Sequence, residues 1–190
     1  MTDINFATPI RFQNVLLATD FSEASLAAVG HAAAVARTYQ GIVDVVHVIV
    51  PEVYWWAPPE SLRSIEDGIK LWAEQEMKNV LASERLHDVP HQGIIKHGEI
   101  WDVLQSLLSQ RNGDLIVTGT RGRRRLRKLV MGSVAEEILR LSPIPVLTVQ
   151  PDAGLSGIKE LRNVLYPTDF SVDSIRALAY ALSFSQKFQA

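Results

Sequence analysis

The residues best placed to do chemistry lie between positions 119 and 134. Gly119-Thr120-Arg121-Gly122 is followed by nine residues and then by Gly132-Ser133-Val134. An apolar run, Leu115-Ile116-Val117-Thr118, precedes this stretch and reads as a buried parallel strand. Ser133-Val134-Ala135-Glu136-Glu137-Ile138-Leu139 follows it and reads as a helix opened by a capping box. A glycine loop between a strand and a helix N-terminus offers backbone N–H groups, a positive dipole end and room for close approach, which are the requirements for holding a phosphate. The spacing is neither a Walker loop, because Met131-Gly132-Ser133 has no lysine before its serine, nor the dinucleotide fingerprint, which needs three glycines within six residues.

Four further features compete for a role. Asp20 closes an apolar run, Val15-Leu16-Leu17-Ala18-Thr19, and could cap the next helix or touch a ribose hydroxyl, a base edge or a phosphate-bound metal. His47 ends the second run and reads as a packed or backbone-bonded histidine rather than a catalyst. Arg121 to Lys128 carries six basic residues in eight positions, either a solvated loop or a source of phosphate contact and steering. The pair Trp55-Trp56 reads equally well as a lid, a partner contact or simple packing. No Ser-His-Asp arrangement, no His-Glu-x-x-His and no His-x-Gly-His of the nucleotidyl transferases is present, and no residue stands out as positioning an attacking water. That pattern favours a binding module over an efficient enzyme.

The elements that must position these groups alternate along the chain. Strands are expected at 14–19, 43–50, 92–96, 114–118 and 145–149. Helices are expected at 22–39, 60–86, around Ile100-Val103-Leu104-Leu107-Leu108, and at 133–141. Alternation of this kind implies a doubly wound, five-stranded parallel sheet, an α/β fold of Rossmann-like type in the order 3-2-1-4-5. The strand order then reverses between strands one and four, and ligands bind at the carboxyl ends beside such a reversal. Asp20 and Gly119 both fall there.

With 190 residues, 47% hydrophobic and 21% charged, the chain is long enough for one substantial core and short for two. A net charge of −2 argues against a generally basic nucleic-acid binder or a polybasic membrane protein. No apolar run approaches the roughly 20 residues needed to span a bilayer. Without cysteine there is no disulfide framework and no thiolate zinc site, and a cytoplasmic location is the expectation.

Gly-x2-Gly-x9-Gly-Ser, the Asp20 that closes the first strand before Phe21-Ser22, and His47-Val48 in the second strand together resemble the universal stress protein family, and within it the ATP-binding branch. The resemblance spans about residues 13–150 and is closest to the adenine nucleotide alpha hydrolase-like variety of the fold. It implies phosphate contacts from Gly119, Gly122, Gly132, Ser133 and Val134, with Thr120 and Arg121 lining the loop. It implies that Asp20 and the backbone of Val48 meet ribose and adenine of ATP, ADP or AMP, with Mg2+ or Mn2+ bridging phosphates. It implies a homodimer joined through the Val146–Val149 strand, and signalling to a regulatory protein partner in a stress response. A slow ATPase or phosphotransferase, and an assembly module without nucleotide, are the rival readings.

A partial repeat follows. Asn163-Val164-Leu165-Tyr166-Pro167-Thr168-Asp169-Phe170-Ser171 echoes Asn14 to Ser22 at a constant offset of 149. After a linker at 151–162, residues 163–190 therefore read as the start of a second copy, one strand and one helix, that lacks a glycine loop of its own. Its apolar face (Ile175, Leu178, Ala181, Leu182) is expected to dock on the first domain, pair with another chain, or fray.

Overall fold

The computed structural model describes residues 10–51, 58–120, 131–151 and 161–190. Arg121, Gly122, the rest of the basic run, Trp55-Trp56 and positions 152–160 of the linker lie outside the described residues. Five strands form one parallel sheet: β1 (Asn14–Ala18), β2 (Ile42–Ile49), β3 (His91–His97), β4 (Leu115–Gly119) and β5 (Val146–Val149). Their order is β3-β2-β1-β4-β5, the order expected from the alternation. Every pairing is parallel, with Ala18 opposite both Val46 and Thr118.

Side chains alternate across this sheet and feed two separate cores. Val15, Leu17, Val43, Val45, Leu115 and Val117 pack against α1 (Glu23–Tyr39) and α2 (Pro59–Leu81). Leu16, Val46 and Ile116 face Leu104, Leu107 and Leu108 of α3 (Ile100–Arg111) and Ile138 of α4 (Ser133–Leu141). The run of alanines in α1, including Ala27, Ala28, Ala32, Ala33 and Ala36, is buried against the sheet. Small side chains let this helix lie close to the strands, and Ser22 caps it by accepting the Ser25 amide.

Several boundaries shift for local reasons. α2 stops at Leu81 rather than Leu86, because Ser83, Leu86 and Val89 make tighter three-residue turn bonds to Val80, Ser83 and Leu86. β4 starts at Leu115, since the Asp114 carboxylate serves as a clamp that accepts the amides of Gln13 and Asn14. Burial pushes the Asp114 carboxyl upward, and those two amides pull it back.

Residues 163–169 form no strand, contrary to expectation, because no strand among the described residues lies beside them to supply ladder bonds. The helix that follows, α5 (Val172–Phe188), does form, and it lies against the first domain. It docks through Tyr180, Phe184 and Phe188 rather than through Ile175, Leu178, Ala181 and Leu182, with the Phe184 ring 5.8 Å from Phe12. Tyr39 Oη and Ser183 Oγ share a 2.7 Å hydrogen bond at this contact. The larger aromatic side chains reach across where the expected aliphatic stripe does not. Leu182 stays 48% exposed.

Local geometry repeats at the offset of 149. Phe21 and Phe170 both take left-handed backbone angles (φ 59 and φ 62), and so do the helix C-caps Gln40 and Gln189 (φ 56 and φ 57). Ser171 caps α5 as Ser22 caps α1.

Candidate functional site

The carboxyl ends of β1 and β4 converge on the first turn of α1. Beyond β1, the Thr19 amide donates to the Val46 carbonyl, and the chain then turns sharply. Thr19 Oγ1 accepts the Phe21 amide at 3.0 Å and shares a 2.9 Å hydrogen bond with Ser25 Oγ. Asp20 Oδ1 accepts the Ser22 amide at 3.0 Å. Asp20 therefore fixes the turn before the helix, while the cap itself is Ser22.

Gly119, the last residue of β4, sits against this same turn. A Cβ there would lie 2.7 Å from the Ala24 carbonyl carbon and oxygen and 2.8 Å from the Ser25 nitrogen. The missing side chain thus makes room for α1, and the glycine is needed for packing whatever ligand approaches. This locks the start of α1 beside the end of β4.

On the far side of the loop, Gly132 donates its amide to the Thr120 carbonyl at 2.7 Å, and Thr120 donates its own to the Val149 carbonyl. These bonds pin the start of α4 to the sheet. The expected capping box does not form: Gly132 is the N-cap (φ −66, ψ 147), and no side chain caps the helix. With the Glu136 amide bonding to the Gly132 carbonyl, the helix begins one residue early and Ser133 becomes its first helical residue. The Ser133 hydroxyl is therefore released from capping and lies at an exposed position. The first amides of a helix have no partner within it, so those of Ser133 and Val134 are directed outward at a positive dipole end. Thr120 Oγ1 is buried with no hydrogen-bond partner among the described residues.

Val48 lies on β2, two residues past Val46, where β1 has already ended. The bonds from Ile42 N–H to Gln13 and from Thr19 N–H to Val46 show that even-numbered residues of β2 turn their polar groups toward β1. Val48 thus presents its backbone edge beside Asp20. The Thr19 carbonyl, next in line for the Val48 amide, instead accepts a hydrogen bond from His47 Nδ1 at 2.8 Å. A carbonyl only accepts, so that ring nitrogen carries the proton. His47 is 8% exposed, as a backbone-bonded strand histidine should be.

The sequence reading missed two residues here. Phe21 swings its ring to 4.4 Å from His47 and 5.5 Å from Trp72, an aromatic wall under the Asp20 turn. Its left-handed angle carries no signal in a phenylalanine. Trp72 lies on α2, among the partly buried residues packed on the first core.

The structure thus brings Asp20, Val48, Gly119, Thr120, Gly132, Ser133 and Val134 to one end of the sheet. Residues 11–150 match the family model described as the universal stress protein family. This chain belongs to that family. Universal stress protein A homolog 1 of Coxiella burnetii is 32% identical over 149 residues, covering 74% of this chain and 97% of that one. Among solved structures, the hypothetical protein MJ0577, a test case of structure-based assignment of biochemical function, aligns with a TM-score of 0.65. The identity is 25%, over 74% of this chain and 97% of the other. A universal stress protein family protein from Arabidopsis thaliana, solved with AMP bound, shares the fold at a TM-score of 0.53 and 21% identity, over 74% and 93% of the two chains.

Proposed function

We propose that this protein is an ATP-binding universal stress protein, a regulatory module whose conformation or association responds to nucleotide. One observation carries the reading. The Gly132-to-Thr120 bond holds the outward-facing amides of Ser133 and Val134 beside the Asp20 turn at the reversal of strand order. Phosphates would meet Ser133, Val134 and the backbone at Gly132, with Gly119, Thr120, Arg121 and Gly122 completing the loop. The nucleoside would meet Asp20 and the backbone edge of Val48. The AMP bound to the Arabidopsis relative supports an adenine nucleotide as the ligand.

Among the described residues no group of three or more His, Asp or Glu could hold a metal ion. A Mg2+ or Mn2+ ion would be held chiefly by the phosphates, with Asp20 as the carboxylate the site offers. The unit of function in this reading is residues 13–150, working in the cytoplasm, with 163–190 as the start of a second repeat. Among the described residues no helix is long and apolar enough to cross a membrane. Among the described residues β5 pairs only with β4, so its other edge is the one we assign to a homodimer contact.

The experiment is to heat-denature purified protein, identify any released nucleotide by chromatography, and titrate the refolded or nucleotide-stripped protein with ATP, ADP and AMP. Adenine nucleotide in the supernatant and saturable heat on titration support the reading. No released nucleotide and no heat with any of the three would overturn it.

A further inference from the structure

Thr120 stands one residue past β4, as Thr19 stands one residue past β1, and both side chains are buried. Their hydroxyls fare differently. Thr19 Oγ1 accepts the Phe21 amide and shares a second hydrogen bond with Ser25 Oγ. Thr120 is only 9% exposed, yet its Oγ1 has no partner among the described residues. A buried hydroxyl left unpaired gives up its hydration for nothing in return. Native proteins keep few such groups, and those they keep serve as strain reservoirs, as reactive groups or as partners for something bound.

The position of Thr120 narrows the choice. Side chains of β4 alternate: Leu115 and Val117 enter the core under α1, and Ile116 enters the one under α3 and α4. A Cβ on Gly119 would aim at α1, so Thr120, next along, turns to the α4 side. Its amide is spent on Val149, and its carbonyl accepts the amide of Gly132, the N-cap of α4. Thr120 is thus tied by its backbone to the helix start, where the first amides have no partner within the helix and stand at a positive dipole end. The hydroxyl and those amides are all donors, and all lack an acceptor.

We propose that Thr120 Oγ1 is a phosphate ligand: unpaired within the protein, it donates to a phosphoryl oxygen that the first amides of α4 also hold. The inference rests on the nucleotide reading above and deepens it, by naming where the response to nucleotide begins. Because the hydroxyl is shut in, the phosphate reaches it only as Thr120 moves, and the bond to Gly132 carries that movement into α4.

Two variants of the full 190-residue chain test this. Thr120→Val keeps the shape of the side chain and removes the hydroxyl; Thr120→Ser keeps the hydroxyl. Without nucleotide, Thr120→Val should raise the urea midpoint above the parent's, because a methyl replaces an unpaired buried hydroxyl. Its affinity for ATP should nevertheless fall about tenfold, the loss of one charge-assisted hydrogen bond. Affinity for adenosine, which carries no phosphate, should stay at the parent's value, and Thr120→Ser should bind ATP as the parent does. A midpoint no higher than the parent's in Thr120→Val would show that the hydroxyl is already paired, and would overturn the proposal. So would an ATP affinity equal to the parent's, or an adenosine affinity that falls along with it. A parent that binds neither ATP nor adenosine would instead remove the nucleotide reading, and this inference with it.

Discussion

The His47 ring donates from Nδ1 to the Thr19 carbonyl at 2.8 Å, filling the acceptor that the β1–β2 ladder would next offer to the Val48 amide. The histidine thereby anchors the Thr19 carbonyl where the pairing of β1 and β2 ends, one residue before the backbone of Val48.

His47→Phe keeps an aromatic ring beside Phe21 and Trp72 but removes the donor. The Thr19 carbonyl should then recapture the Val48 amide. Folding stability should fall by about 1 kcal/mol, the net value of one buried hydrogen bond. Affinity for ATP should fall about tenfold, or about 1.4 kcal/mol. Urea denaturation and calorimetric titration read the two separately, and an unchanged ATP affinity would remove His47 and Val48 from the site.

Gly119→Ala tests whether that glycine serves packing. Its Cβ would lie 2.7 Å from the Ala24 backbone, which cannot swing aside as a side chain could. Overpacking of this kind costs about 1–3 kcal/mol. The urea midpoint without nucleotide should drop accordingly. A variant as stable as the parent would show that α1 yields freely.

Ser133→Ala should do the opposite. Since Ser133 caps nothing, stability should change by less than about 0.5 kcal/mol. Loss of a charge-assisted bond to phosphate should weaken ATP binding by about 1–3 kcal/mol. A stability loss without an affinity loss would return the serine to a structural role.

The acid limb of the surface has one clear marker. Arg37 Nε donates to Asp88 Oδ2 at 2.7 Å, and the guanidinium holds the Asp88 carboxyl down at about 2 against its usual 3.8. A carboxyl depressed on folding stabilises the native state above its unfolded pKa, and that contribution is lost as pH falls through about 2. An NMR titration of Asp88 should show a midpoint near 2 that moves up toward 3.8 in Arg37→Gln. No movement would mean that the ion pair is absent in solution.

Much of this architecture could be read from the chain because apolar runs alternate with helical patterns along it. The apolar runs at Val15-Leu16-Leu17 and Leu115-Ile116-Val117 marked buried strands, without telling which side chain enters which core, and the spacing of Leu104, Leu107 and Leu108 placed α3. The glycines marked the loop because a strand-to-helix turn has few other uses for so many. What stayed hidden were choices between nearly equal partners. Whether Gly132 or Ser133 would cap α4 depended on a bond to the distant Thr120 carbonyl. Whether residues 163–169 would become a strand depended on neighbours, and no local pattern reports those. The docking of α5 through Tyr180, Phe184 and Phe188 was likewise decided by Phe12 and Tyr39, far away in sequence.

The two Thr-Asp-Phe-Ser turns are written in the same letters and folded to the same angles, one inside the molecule and one on its outside. These four residues are therefore punctuation, a self-contained instruction to leave an extended segment and begin a helix, legible with no core around it. Their presence in some other chain announces a junction and no more. The meaning of the aspartate comes from the sentence that follows, and the first of the two turns leads on to Gly119 and Gly132.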